Sequence, residues 1–181
     1  ANKSILDVTS VIFPGNKAGG ITTLEEKSLG CIYKSGHSPM QAVYDYAQDI
    51  HHKGLVIMDT PGNDPISMSG MAAGGCQLVL FTTGRGTPTG NPIVPVIKLS
   101  ANRDTAVVMR DNLDFDASGY LYGSTTMRQL RDALLEEICA VAGGKLTRSE
   151  ILGYCETAIA RVGRYVKNEG EMKGCVETYY Y

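Results

Sequence analysis

Two short apolar runs, each followed by a loop of small and polar residues, constrain the fold of this chain most strongly. Residues 55–58 lead into the loop 59–64, and residues 76–81 lead into the loop 82–92. A short apolar run bounded by turn residues predicts a buried strand. The segment that begins at Pro65 predicts a helix between the two strands. This order of strand, loop, helix and strand predicts an α/β fold.

The rest of the N-terminal region extends this pattern to a Rossmann-like, partly parallel sheet flanked by helices. Residues 93–99 predict a third strand, in which Pro95 favours an edge strand or a bulge because proline has no N–H to donate. One helix is predicted after the capping residues Thr22 and Thr23, and another over residues 39–47.

The character of the chain changes near Ser124. Apolar residues at helical spacing predict a helix from there to Gly143, and a second helix is predicted from Thr147 to Val166. We therefore expect an α/β domain of catalytic type over residues 1–145. A C-terminal helical extension, residues 146–181, is expected to pack on the same domain.

Composition and charge exclude several classes of partner. The 17 basic and 19 acidic residues are mixed along the chain without a basic stripe, so we expect no nucleic-acid partner. Membrane association is not expected either, because no apolar run approaches the roughly 18 residues that cross a bilayer. The five cysteines are odd in number and show no CxxC spacing. This predicts a cytoplasmic protein rather than a disulfide-bonded or zinc-binding one.

The loop 82–92 carries the residues best suited to bind an anion. Arg85 lies between two glycines and can bind a carboxylate through two parallel N–H groups. Three hydroxyls lie in the same loop, those of Thr82, Thr83 and Thr87. The carboxyl ends of parallel strands meet at one sheet edge, so Asp59 and Asn63 are expected near this loop. The sequence therefore predicts a site for an anionic, hydroxyl-rich small molecule.

Structural explanations exist for some of these residues. Asp64 before Pro65 is typical of a helix N-cap, and Arg85 could pair with a neighbouring acid. Glu26 and Lys27 lie in the first turn of a helix, where capping and solvated charge explain them. Nucleotide binding is a weaker alternative, because the loop matches neither GxxxxGK[ST] nor GxGxxG.

Three stretches of the chain resemble the C-terminal domain of the altronate dehydratase / D-galactarate dehydratase (altronate hydrolase) family. They are GGITTLEEKSLG at residues 19–30, MDTPGNDP at residues 58–65 and FTTGRGTP at residues 81–88. The resemblance covers roughly residues 10–145, and its motifs are long and consecutive. The residues from Thr147 onward look like an extension beyond the family's shorter tails.

The resemblance implies a hydro-lyase that removes water from an altronate- or galactarate-like hydroxy acid to give a 2-keto-3-deoxy acid. It implies iron(II) or a similar divalent metal, with ligands wholly or partly outside this chain. Proton transfer is assigned to Lys27, Glu26 and Asp59. Substrate binding is assigned to the Arg85 guanidinium and to four polar side chains, Thr82, Thr83, Thr87 and Asn63.

The resemblance also implies partners and two alternatives. Since the chain begins at Ala1 without a methionine, we expect it to be cut from a longer polypeptide whose N-terminal domain is a partner. The isolated chain could then be inactive, and the intact enzyme is expected to be a homo-oligomer. The alternatives are a non-catalytic binding or dimerisation module of such an enzyme, and a subunit of a related sulfolactate lyase.

Overall fold

The computed structural model describes residue 17, residues 20–167 and residues 171–180. The chain divides into two compact units, Ala1–Gln41 and Ala42–Tyr181. The predicted domain boundary at residue 145 stays a prediction.

Helix α1, Leu24–Lys34, is the described helix of the first unit. The hydroxyl of Thr23 accepts a hydrogen bond from the Glu26 N–H at 3.2 Å, and Glu26 Oε2 accepts from the backbone N–H and the hydroxyl of Thr22. Beyond the C-cap Ser35, Gly36 takes a positive φ of 78°. The predicted start of this helix is therefore confirmed.

Strands β1, Met40–Tyr44, and β2, Leu55–Met58, form a two-stranded sheet. The helix predicted over residues 39–47 is wrong. Strand pairing overrides the local pattern, since the Asp59 N–H donates to the Tyr44 carbonyl at 2.8 Å. A φ of 61° at Ala47 is also incompatible with a continuing helix.

The central sheet contains three parallel strands in the order β3–β4–β5, with bounds Val79–Thr82, Val96–Ser100 and Phe115–Asp116. Val79 pairs with Val96, and Leu99 pairs with Phe115. A sheet of parallel strands flanked by helices confirms the predicted α/β class. Since β4 is the middle strand, the edge position predicted from Pro95 is wrong. Pro95 precedes β4, and its carbonyl accepts from the Val79 N–H at 3.0 Å.

Helix α2, Asp64–Ala73, packs on the sheet through the main hydrophobic cluster of the unit. Met68 of α2 is buried against strand residues, and Met71 and Ala72 pack at the edge of the same cluster. The buried strand-side members are Val79, Val94 and Val96. Burial of this apolar surface holds α2, and the loop before it, against β3 and β4.

Four further helices follow β4 along the chain. They are α3 (Arg103–Val108), α4 (Ser118–Leu121), α5 (Met127–Ala142) and α6 (Arg148–Leu152). Helix α5 confirms the helix predicted after Ser124, and it begins with a capping box between Thr126 and Gln129. Neither α5, with 16 residues, nor any other described helix combines the length and apolar character needed to cross a membrane.

The C-terminal region differs from the prediction. Strands β6, Ala158–Lys167, and β7, Glu171–Tyr180, form an antiparallel pair, so the helix predicted from Thr147 to Val166 is wrong beyond Leu152. Gly153 takes a left-handed conformation with φ 75° and ends α6. The following residues are rich in β-branched and aromatic types that favour strands. Strand β6 packs against α2, and the hydroxyls of Ser69 and Thr157 lie 2.9 Å apart.

Candidate functional site

An open cleft of about 350 Å³ lies where β2 and β3 end. Its polar lining comes from the loop after β2 and the end of β3, and includes Thr60, Asn63 and Thr82. Met68, Met71 and Phe81 supply apolar lining. The cleft thus brings together residues from the two strand-end loops that the sequence singles out, and two of the predicted substrate-binding residues, Asn63 and Thr82, line it.

The loop after β2 is held by short-range hydrogen bonds. Asn63 is the N-cap of α2, and its Oδ1 accepts from the Ile66 N–H at 3.4 Å. The prediction that Asp64 is the cap is therefore wrong by one residue, because Asp64 already belongs to the helix. The hydroxyls of Thr60 and Ser67 lie 2.9 Å apart and join the loop to α2.

Asp59 is exposed at the end of β2 and directly precedes the cleft lining. Its backbone N–H is bound to Tyr44, so the backbone at Asp59 is fixed while the carboxylate remains in contact with solvent. This placement is compatible with proton transfer at the cleft entrance, and the role of Asp59 stays a prediction.

The segment after β3, residues 83–92, is named the Arg85 loop. Arg85 is exposed, and no hydrogen bond or ion pair with its guanidinium is found among the described residues. The neighbouring Gly86 has φ 83°, and its N–H donates to the Thr83 hydroxyl at 3.0 Å. The structural alternative of an Arg85 ion pair is thus not realised in the described part of the chain.

Most hydroxyls of the Arg85 loop are used within the protein. Thr87 and Thr89 place their hydroxyl oxygens 2.7 Å apart, and the Thr87 hydroxyl also accepts from the Thr89 N–H at 3.2 Å. Thr105 of α3 donates its hydroxyl to the Gly84 carbonyl at 2.7 Å. The hydroxyls of Thr83 and Thr87 thus make hydrogen bonds within the loop, Thr82 lines the cleft, and the substrate-binding roles of all three residues stay predictions.

Lys98 is a residue of this region to which the sequence analysis assigns no role. Its side chain is fully buried in β4, and Nζ donates to the carbonyls of Pro88 and Thr89 at 3.3 and 3.2 Å. Burial lowers the pKa of Lys98, and the nearby carboxylate of Asp114 opposes that shift. The sequence feature that could have identified Lys98 is a single charged residue within the otherwise apolar run of residues 96–99.

Relative to a Lys98→Met variant, the wild-type protein should become more stable as pH rises. Burial holds the pKa of Lys98 below its ordinary value of 10.5, so the unfolded chain binds the proton more tightly than the folded one. The destabilising contribution is fully present below the lowered pKa and is lost as pH rises towards the ordinary value. Urea unfolding of both proteins from neutral pH to about pH 10 measures it. A stability difference that stays constant with pH would contradict the prediction.

Glu26 and Lys27 belong to α1 in the first unit. The backbone N–H and then the hydroxyl of Thr22 lower the pKa of Glu26, because both donate to its carboxylate. A lowered pKa makes Glu26 a weaker base than an ordinary carboxylate. Its capping role is therefore directly observed, and the catalytic roles of Glu26 and Lys27 stay predictions.

A metal centre built from this chain alone finds no support in the part that the structure describes. No three His, Cys, Asp or Glu side chains among residues 17, 20–167 and 171–180 come together as a possible metal site. The described residues therefore do not fit a complete iron(II) site, and no chemical step is assigned to a metal here.

Comparison with known proteins gives a consistent result. Residues 2–165 match the family model described as D-galactarate/Altronate dehydratase, C-terminal. The chain is 43% identical over 150 residues to altronate dehydratase of Escherichia coli, covering 83% of this chain and 30% of that protein. Altronate dehydratase of Bacillus subtilis is 42% identical over 150 residues, again with 83% and 30% covered.

A third relative carries a different name. The chain is 39% identical over 149 residues to (2R)-sulfolactate sulfo-lyase subunit beta of Chromohalobacter salexigens, with 82% of this chain and 38% of that protein covered. The chain therefore spans about a third of the length of these relatives.

Proposed function

This chain belongs to the D-galactarate/altronate dehydratase family as a C-terminal domain, and on that premise we propose that it forms part of a sugar-acid dehydratase. The reaction is loss of water from an altronate- or galactarate-like hydroxy acid to give a 2-keto-3-deoxy acid. The C–H bond beside the carboxylate and the C–O bond of the next hydroxyl break, and the resulting enol becomes the ketone.

The observation that carries the proposal is the exposed Arg85 guanidinium at the carboxyl end of β3. No acid of the described residues pairs with it, so its N–H groups are available to a ligand. A planar guanidinium binds a carboxylate through two parallel hydrogen bonds, which fixes the orientation of the acid as well as its position. The adjoining cleft, with Thr82 and Asn63 in its lining, offers polar groups to substrate hydroxyls.

Elimination also needs a base for the proton beside the carboxylate and an acid for the departing hydroxyl. We assign these roles to Asp59, Glu26 and Lys27 as candidates. Asp59 has the geometric support of its place beside the cleft lining. Iron(II) or a similar divalent metal is proposed for the intact enzyme, with ligands at least partly from the remainder of the polypeptide.

The proposal is tested by assaying the full-length protein for 2-keto-acid formation. The substrates are a panel of aldonates and aldarates, each with and without added iron(II). We expect product from altronate or galactarate. Little product is expected from acids that lack a hydroxyl on the carbon next to the one that loses its proton. If every sugar acid is left unchanged under both metal conditions, the dehydratase assignment is wrong.

A second candidate is a subunit of a sulfolactate lyase. It is favoured by the relative with that name, of which the chain covers a larger share than of the altronate dehydratases. Sulfolactate is therefore included in the same panel, with release of sulfite as the measurement. Sulfite release without keto-acid formation from sugar acids selects this candidate.

We also propose that the rest of the polypeptide is a partner of this chain and that the intact enzyme is a homo-oligomer. The first part is supported by the comparisons, because the chain spans only about a third of the length of each relative. Light scattering of the full-length protein tests the second part. A mass equal to one polypeptide would contradict it.

A further inference from the structure

Lys98 occupies a position that is unusual for a lysine. Its side chain is 0% exposed, in the middle strand of the parallel sheet, between the buried Ile97 and the partly buried Leu99. Lysine is almost never fully buried, because removing the ammonium from water is strongly unfavourable unless hydrogen bonds replace its hydration. The three ion pairs found among the described residues all lie elsewhere, so Lys98 has no direct acidic partner there.

The two atoms that bind the Lys98 ammonium belong to one segment. Nζ donates to the carbonyl of Pro88 at 3.3 Å and to the carbonyl of Thr89 at 3.2 Å. Both carbonyls lie in the Arg85 loop, about ten residues before Lys98 in the chain. The side chain therefore ties the strand to that loop rather than to another part of the core.

The Arg85 loop is anchored on both sides of the arginine. Before Arg85, the Gly84 carbonyl is held by the Thr105 hydroxyl at 2.7 Å. After Arg85, the next hydrogen bonds from the loop to another element, among the described residues, are those from Lys98 to Pro88 and Thr89. The segment between the two anchors contains Gly86 with its positive φ, and the Gly86 N–H is bound to the Thr83 hydroxyl within the loop.

Asp114 binds the backbone of Lys98, at the opposite end of the residue from the ammonium. Its Oδ2 accepts from the Lys98 backbone N–H at 2.8 Å, and its Oδ1 accepts from the Arg148 backbone N–H at 2.6 Å. The backbone of Lys98 is thereby joined to the start of α6 as well as to its neighbouring strands. The backbone from which the Lys98 side chain extends is therefore held in place, and this suits a residue that sets the position of a loop.

We propose that Lys98 is a positioning residue, which binds the Pro88 and Thr89 carbonyls and so holds the Arg85 loop in the conformation that presents the guanidinium. It does not touch substrate, because it is fully buried beneath the loop. The expected change in KM rests on the proposed function, whereas the expected change in hydrogen exchange does not.

The experiment compares Lys98→Met with Val96→Ala in the full-length protein. Methionine keeps the length of the side chain and removes the donors, while Val96 is buried in the same strand and its side chain carries no donor for the loop carbonyls. Hydrogen exchange by mass spectrometry is measured on peptides that cover residues 82–92. We expect exchange there to become at least about tenfold faster in Lys98→Met, and to stay near wild type in Val96→Ala.

The kinetic readout separates positioning from simple destabilisation. Lys98→Met should raise KM for the sugar acid about tenfold or more, with a smaller change in kcat, since a displaced guanidinium binds the carboxylate less well. In an Arg85→Lys background the same substitution should have much less effect, because the group that it displaces is already lost. Val96→Ala should leave KM unchanged.

Three outcomes overturn the proposal. Unchanged exchange of residues 82–92 in Lys98→Met is one, and equal acceleration in Lys98→Met and Val96→Ala is another. If Lys98→Met does not fold, Lys98→Gln is measured in the same way. Failure of both variants to fold is the third outcome, because it means that Lys98 is needed for folding rather than for positioning the loop. Should the wild-type protein show no dehydratase activity, the exchange comparison still decides the positioning role.

Discussion

Replacing Arg85 with lysine in the full-length protein is expected to lower kcat/KM for the sugar acid by about 100-fold while the protein stays folded. Lysine keeps the positive charge but replaces a planar, bidentate donor by a point charge on a flexible stem. It therefore still attracts the carboxylate and no longer fixes its orientation. Steady-state kinetics measure the loss, and circular dichroism checks the fold.

The fold should survive because Arg85 contributes little to it. Its side chain is exposed, and no bond of the described residues depends on it. Arg110→Lys is the matched control, since Arg110 is an exposed arginine that makes a long surface contact of 3.8 Å with Asp111. That variant should keep wild-type kinetics. Wild-type kcat/KM in Arg85→Lys would show that the guanidinium does not hold the substrate.

Replacing Gly90 with alanine should destabilise the protein by about 2–4 kcal/mol. A Cβ at this position would overlap the backbone carbonyl oxygen of Tyr154 and lie 2.6 Å from the Cβ of Ser149. Neither neighbour is the end of a flexible side chain, so the Arg85 loop and the segment after α6 must move apart. Urea unfolding measures the change in the free energy of unfolding.

Gly84→Ala is the control from the same loop. No atom lies within 4 Å of a Cβ built at Gly84, and its φ is not in the left-handed region. This substitution should change the free energy of unfolding by less than about 0.5 kcal/mol. Equal destabilisation by the two substitutions would mean that loop flexibility, rather than the contact with Tyr154, sets the requirement for glycine.

Local signals in the sequence predicted local structure well. The caps at Thr23 and Thr147 each involve a partner three residues away, and both helices begin where the caps indicate. Because such signals depend on only a few neighbouring residues, they predicted the start of the helix after β2 less accurately. Asn63 and Asp64 both have side chains that can cap a helix, and the backbone conformation, rather than the residue type, selects Asn63.

The two helices wrongly predicted at residues 39–47 and beyond Leu152 have a common cause. Each of these segments contains a strand whose hydrogen bonds go to another segment of the chain, residues 55–58 for β1 and residues 171–180 for β6. Strand propensity depends on such pairing far more than helix propensity does. The C-terminal pair extends to Tyr180, and nothing within residues 158–167 alone requires it.

By itself the sequence determined the α/β class, the presence of strand-end loops rich in glycine and threonine, and membership of the dehydratase family. These depend on apolar runs, caps and consecutive motifs, all of which are encoded over a few residues. The tertiary structure alone decided that Asn63 and Thr82 line one cleft, that Arg85 has no acidic partner in the described chain, and that the Lys98 ammonium binds the carbonyls of Pro88 and Thr89. These are contacts between elements, whose formation depends on how the sheet and helices pack and not on the spacing of residues along the chain.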